Sequence, residues 1–80
     1  RRDLAQEITS ATLKRLAEER EKQGLSMNKL ASLSGLDPRA IALIERGERS
    51  PALHTVLRIT IALEVNLWEM LQEVEKSDDS

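Results

Sequence analysis

The 80-residue chain contains no cysteine and, apart from Trp68, no aromatic residue. Without cysteine, disulfides, thiolate metal sites and cysteine nucleophiles are excluded. Without Phe or Tyr, the core must be built from Leu, Ile, Val and Ala, which suits short packed helices better than a sheet. Strand-type alternation is also missing. We therefore predict an all-α fold, and the length leaves no room for a second core.

Long apolar runs are absent as well. None approaches the ~18 residues of a transmembrane helix, and no signal peptide opens the chain. We therefore expect no membrane partner and a cytoplasmic location. The chain begins with Arg rather than Met, so the alternative of a missing neighbouring effector domain stays open.

Excess positive charge is also lacking. The formal net charge of −2 argues mildly against nucleic acid as a partner, because neutralisation of phosphates dominates such binding. The distribution of charge weakens this objection. Residues 72–80 hold four acidic side chains and one lysine, so the rest of the chain is close to neutral. We predict that residues 73–80 form an acidic tail or linker.

The apolar spacing predicts a long first helix from about 3 to 23. Its main stripe, at i, i+3, i+4 and i+7, consists of Leu13, Leu16, Ala17 and Arg20. An earlier stripe consists of Leu4, Ile8 and Ala11. The earlier stripe either frays or packs on a second subunit. We accordingly treat residues 1–12 as an extension of helix one and residues 13–72 as the domain.

Capping and turn residues divide the remaining chain into four helices. Ser26 is a good N-cap for a helix at 27–34, and Gly35 permits a sharp turn. Asp37 and Pro38 open a third helix, which Gly47 ends. A fourth helix has its apolar side chains at Leu53, Val56, Leu57 and Leu63, with Thr60 among them. A fifth helix runs from 67 to about 75.

The stretch 27–46 meets the demands of a helix-turn-helix. Ala31 is small enough for two helices to approach closely, and Gly35 lies at the turn. The apolar residues that converge on one core are Leu30, Leu36, Ile41 and Ile44. Each feature is weak alone, but their joint spacing is a strong signal.

The third helix, 38–46, decides between a scaffold and a DNA reader. At about 100° per residue, the side facing the core carries Ala40, Ile41, Ile44 and Glu45. The opposite side carries Pro38, Arg39, Ala42, Leu43 and Arg46. Small apolar side chains can press on thymine methyls, and Arg39 can reach guanine edges. The alternative is an ordinary exposed helix with incidental apolar residues.

These residues closely resemble the phage-repressor and Cro family of helix-turn-helix domains, also called XRE-like. The resemblance covers about 13–71 and is carried by Leu30-Ala31, Gly35-Leu36, Ile44-Glu45-Arg46-Gly47 and Pro51. It implies a five-helix, lambda-repressor-like domain that binds specific double-stranded DNA, most often as a repressor. The base-reading positions it implies are Pro38, Arg39, Ala42 and Leu43. The phosphate-contacting positions are Ser26, Met27, Asn28, Arg46, Gly47 and Arg49.

The resemblance further implies a structural ion pair between Arg20 and Glu45 beneath the third helix. The alternative is two independent surface charges. Four departures from the family pattern matter: Met27 replaces a usual Gln, Leu33 and Ser34 are exchanged, Glu64 replaces a usual Gly, and Glu48 replaces a basic residue. They predict a lost phosphate contact, poorer packing, a positive φ at Glu64 and modest affinity.

Catalysis finds no support in the sequence. His54 is the only histidine, and no nucleophile, base and orienting group can be assembled around it. One histidine without cysteine also excludes an ordinary structural zinc site. We predict that the chain is not an enzyme and needs no metal or cofactor.

Dimerisation has more support. Ile61 and Trp68 are bulky apolar residues where the family usually has polar ones, which favours a patch buried between subunits. The alternative is that Trp68 folds back over the core. A homodimer would present two reading helices about 34 Å apart to a near-palindromic operator. Another function stays open, that of an antitoxin or protein-binding cofactor with secondary DNA binding. The features that favour it are Met27, Glu48 and the acidic tail.

Overall fold

Five helices make up most of residues 2–78, the part of the chain that the computed structural model describes. Their bounds are α1 Leu4–Lys22, α2 Met27–Ser34, α3 Pro38–Glu45, α4 Leu53–Leu63 and α5 Leu67–Asp78. No strand occurs among these described residues. The predicted all-α, five-helix fold is confirmed.

Local chemistry sets most of the helix ends. The side chain of Asp3 accepts a hydrogen bond from the Gln6 amide and caps α1, which begins at Leu4. Ser26 caps α2 by accepting from the Lys29 amide at 3.0 Å. Gly35 ends α2 in the left-handed conformation, with φ of 72°. The predicted bounds of α2 are confirmed at both ends because both caps are local signals.

The core lies where α1 and α2 pack against the other three helices. Its most buried apolar side chains are Leu16, Leu30, Ala31, Ile41, Ile44, Ile59 and Leu63. The predicted stripe of α1 is confirmed, with Leu13, Leu16 and Arg20 buried and Ala17 half-buried.

The predicted inner face of α4 was partly wrong. Leu53 and Leu57 are 67% and 39% exposed, and Ile59 takes their place in the core. The buried side of this helix consists of Ile59, Thr60 and Leu63. At about 100° per residue, Leu57 falls well outside that side. Leu53 and Leu57 extend the apolar surface of α4 to one side of the buried residues, so spacing alone did not identify the inner side.

Helix α5 extends further into the acidic C-terminal segment than the sequence predicted. Helix α5 continues to Asp78 rather than ending near Glu75, and Val74 is buried. Arg15 of α1 forms an ion pair with Glu73, which ties the end of α5 to the first helix. Positions 73–78 of the segment interpreted as a tail or linker therefore continue α5, and positions 79–80 lie outside the described residues.

Two departures from the family pattern have clear structural outcomes. Glu64 adopts φ of 58° at the end of α4, as predicted for a residue in a glycine position. Leu33 is half-exposed, whereas Ser34 is buried and its Oγ donates to the Leu30 carbonyl at 2.7 Å. The exchange therefore places a hydroxyl in the core, and the i−4 carbonyl satisfies it.

Candidate nucleic-acid interface

Helix α3 is anchored on one side and open at its N-terminal end. Ile41 and Ile44 are 1% and 3% exposed and hold the helix against the core. Pro38 and Arg39 are exposed, while Ala42 and Leu43 are half-buried. The candidate reading face is therefore accessible, most fully at the Pro38–Arg39 end.

The beginning of α3 is fixed by its cap and by the preceding turn. Asp37 accepts a hydrogen bond from the Arg39 amide at 2.8 Å, and Pro38 occupies the first helical position. The Leu36 amide donates to the Ala31 carbonyl at 3.0 Å, which closes the turn after α2. These contacts set the direction in which Arg39 leaves the helix.

Arg58 supports the same turn from α4, and sequence reasoning missed it. Its Nη1 donates to the Ser34 carbonyl at 3.2 Å, at the C-terminal end of α2. A Cβ on Gly35 would lie 3.1 Å from that nitrogen, so a side chain there would displace the arginine. Only the three-dimensional packing of α2 on α4 reveals this contact.

Arg20 and Glu45 form a two-pronged ion pair between α1 and α3. Arg20 Nε lies 2.7 Å from Glu45 Oε2, and Nη2 lies 3.0 Å from Oε1. The Nη1 atom donates to the Leu25 carbonyl at 2.7 Å. The hydrogen bond with Glu45 raises the pKa of Arg20, and burial opposes this shift. The structure thus brings together the two residues for which the resemblance implied a pair.

The beginning of α2 offers backbone rather than side-chain groups. Met27 packs partly against the core, and the Oγ of Ser26 already accepts from Lys29. The amides of the first helical turn have no intrahelical acceptors, and the positive end of the helix dipole lies there. Asn28 is exposed. This end of α2 can therefore receive a phosphate mainly through N–H groups.

The loop after α3 carries two arginines, of which only Arg46 is paired with a carboxylate among the described residues. Arg46 Nε lies 2.9 Å from Glu48 Oε2, and both side chains are largely exposed. Gly47 has φ of 75°, and the Glu48 amide donates to the Leu43 carbonyl at 2.9 Å. Arg49 is exposed and has no carboxylate partner among residues 2–78. Arg49 is therefore the freer cation of the loop, because Glu48 offsets the charge of Arg46.

The other residues singled out from the sequence are Ile61, Trp68 and His54. Ile61 and Trp68 are 73% and 69% exposed, so the alternative in which Trp68 folds over the core was wrong. His54 is exposed on α4. Within the described residues, no group of three or more His, Cys, Asp and Glu side chains could hold a metal ion. No helix in that part of the chain is long and apolar enough to cross a membrane.

Comparison with known proteins places this arrangement in a family. Residues 16–67 match the family described as helix-turn-helix. The chain belongs to this helix-turn-helix family, in its XRE/Cro-like branch.

Relatives of known sequence and structure agree with that assignment. The chain is 42% identical over 66 residues to the HTH-type transcriptional regulator PuuR of Escherichia coli K12, covering 82% of this chain and 36% of that protein. It is also 38% identical over 53 residues to an uncharacterized HTH-type transcriptional regulator of Haemophilus influenzae, covering 66% of this chain and 54% of that protein. The chain thus spans about a third of the length of PuuR.

Two solved structures share the fold. The restriction-modification controller protein C.AhdI from Aeromonas hydrophila superposes with a TM-score of 0.71 at 36% identity, covering 79% of this chain and 94% of that one. The controller protein C.Esp1396I superposes with a TM-score of 0.69 at 28% identity, covering 91% and 94% of the two chains. The five-helix arrangement therefore resembles that of the restriction-modification controller proteins.

Proposed function

We propose that the protein recognises a specific double-stranded DNA sequence by placing α3 in the major groove. The observation that carries this proposal is the exposed Pro38–Arg39 end of a helix whose other side is locked by Ile41 and Ile44. Arg39 supplies a fork of donors for guanine, and Ala42 and Leu43 supply apolar contacts for thymine methyls. Because the helix is held rigidly, these groups meet the groove in one register.

Phosphate contacts on either side of α3 complete the proposed interface. The N-terminal turn of α2, at Ser26, Met27 and Asn28, faces one phosphate through its amides. After α3, the positions for a second contact are Arg46, Gly47 and Arg49. Arg49 contributes most there, since Arg46 shares its charge with Glu48. Such contacts position the protein on the duplex without reading its sequence.

We further propose that the protein acts as a homodimer on a near-palindromic operator. Ile61 and Trp68 are exposed apolar groups on neighbouring helices, and a second copy would bury both. Two α3 helices would then lie about one DNA turn apart. A dimer bound in this way blocks access to the DNA beneath it, so repression is the favoured outcome. The location proposed for such a regulator is the cytoplasm.

One observation favours a second candidate function, an antitoxin or cofactor that mainly binds another protein. Glu48 offsets Arg46, and Met27 packs inward, so two of the phosphate-contacting positions are weakened. In that case DNA binding is secondary.

Selection of binding sites from random duplexes tests the leading proposal. We expect enrichment of one sequence made of two inverted half-sites, centred about one helical turn apart. Recovery of unrelated sequences after repeated rounds at moderate salt would contradict sequence-specific binding. A single, asymmetric half-site would contradict the homodimer but leave the reading role of α3 in place.

A further inference from the structure

A groove of about 480 Å³ lies between α1 and the loop after α3, with Leu13, Ala17 and Ile44 as its apolar lining and polar side chains on both walls. On the α1 side its polar lining consists of Gln6, Thr9, Ser10 and Lys14. Gln6, Ser10 and Lys14 follow one another at intervals of four positions, and Thr9 lies three positions after Gln6, so the four share one helical face. The opposite wall is formed by residues 44–50, which include the proposed phosphate contacts of the loop. All four polar residues of α1 precede the segment that matches the family, which begins at residue 16.

The charges around the groove leave it positive. Both carboxylates in the lining are already paired, Glu45 with Arg20 and Glu48 with Arg46. Lys14 lines the groove and, like Arg49, has no carboxylate partner within residues 2–78. An anion in the groove would therefore meet two cations and no uncompensated carboxylate.

The hydrogen-bonding groups also suit an anion. Gln6 Nε2 donates to the Oγ of Ser10 at 2.9 Å, which leaves the hydroxyl proton of Ser10 free to donate to a ligand. Thr9 adds a second hydroxyl on the same face. Hydroxyls and a lysine are among the groups that contact the phosphate oxygens of DNA.

We propose that this groove binds a phosphate of the DNA backbone next to the phosphate held by Arg49. The interface then extends from the loop onto the first half of α1, with Lys14 as the principal contact. This inference rests on the proposed function, since it names a further contact of the same DNA-binding surface. It gives residues 4–14 a role in affinity and none in sequence choice.

The test compares Lys14→Gln with Lys22→Gln, using the selected duplex at several salt concentrations. Both lysines are exposed on α1 and both changes remove one positive charge, but Lys22 does not line the groove. Each phosphate contact contributes a slope of about 0.9 log units of affinity per decade of salt. For Lys14→Gln we therefore expect the loss of affinity between 50 and 200 mM salt to be about threefold smaller per subunit than for the wild type. Lys22→Gln should leave the slope unchanged.

Ethylation of single phosphates supplies a second readout. We expect one phosphate whose ethylation weakens binding of the wild type but has no further effect on Lys14→Gln. Equal slopes for the two lysine variants, with no such phosphate, would overturn the groove while leaving the proposed function intact. If the wild type itself fails to bind duplex DNA at low salt, the proposed function fails and the groove with it.

Discussion

The Arg20–Glu45 pair is the residue-scale contact on which the position of α3 depends most. It joins α1 to the last turn of α3, and both side chains are nearly buried, at 11% and 13% exposure. The pKa shift of Arg20 determines how the contribution of this pair depends on pH. Since the pKa of Arg20 is raised in the folded protein, the pair stabilises the fold throughout the neutral range. The contribution of Arg20 is lost as the pH rises through the raised pKa.

Replacing either partner should leave an unpaired charge in a nearly buried place. We expect Arg20→Ala and Glu45→Ala each to lower the free energy of unfolding by about 3 kcal/mol. The double variant should cost clearly less than the sum of the two, because the charges depend on each other. Urea unfolding followed by circular dichroism measures all three.

Arg15→Ala is the matched control for this cycle. Its ion pair with Glu73 is exposed, so its loss should cost at most about 1 kcal/mol. Strict additivity of the Arg20 and Glu45 losses would contradict the coupled pair and support two independent charges.

At the scale of the element, α3 separates residues that read bases from residues that hold the backbone. Arg39 leaves the exposed first turn of the helix, whereas Arg49 lies in the following loop. A contact with a base edge discriminates between sequences, while a contact with a phosphate does not.

Alanine substitutions of these two arginines should therefore have different effects. We expect Arg39→Ala to reduce discrimination at one base position by about 1–3 kcal/mol, and Arg49→Ala to weaken all duplexes about equally. Competition by single-base variants of the selected duplex, followed by fluorescence anisotropy, measures both effects. Uniform weakening by both variants would remove base reading from Arg39.

The elements also show which parts of the structure the sequence can predict. The start of α1, both ends of α2 and the start of α3 were predictable because Asp3, Ser26 and Asp37 act within a few residues of themselves. The end of α5 was not, because its last turns are supported by α1 across the fold. The inner side of α4 was predicted wrongly because Leu53 and Leu57 have the spacing of a buried stripe, although both are exposed.

The candidate site was predicted unevenly for the same physical reason. The accessible end of α3 followed from helical periodicity and capping, which are local properties. The Arg58 contact with Ser34 and the groove beside Lys14 depend on how separate helices meet. The carboxylate of Glu48 was expected to lower the local potential, but its direct pairing with Arg46 is visible only in the structure.

At the scale of the whole molecule, the distribution of charge matters more than its sum. The chain has a formal net charge of −2, yet the proposed DNA surface includes the unpaired cations Lys14 and Arg49. Four of the 14 acidic residues lie on α5, where Glu73 is already paired with Arg15. A protein that is acidic overall can therefore still present a positive surface to DNA.

The salt dependence of duplex affinity tests the central claim most directly. A dimer with Arg49 on one phosphate in each subunit should lose affinity with a slope of about 1.8 log units per decade of salt or more. Anisotropy titrations of the 80-residue chain with the selected duplex, from 50 to 400 mM salt, would give that slope. We predict a steep decline in affinity as salt rises. A flat salt dependence, or no duplex binding at the lowest salt, would contradict a surface built to hold DNA and favour a protein partner.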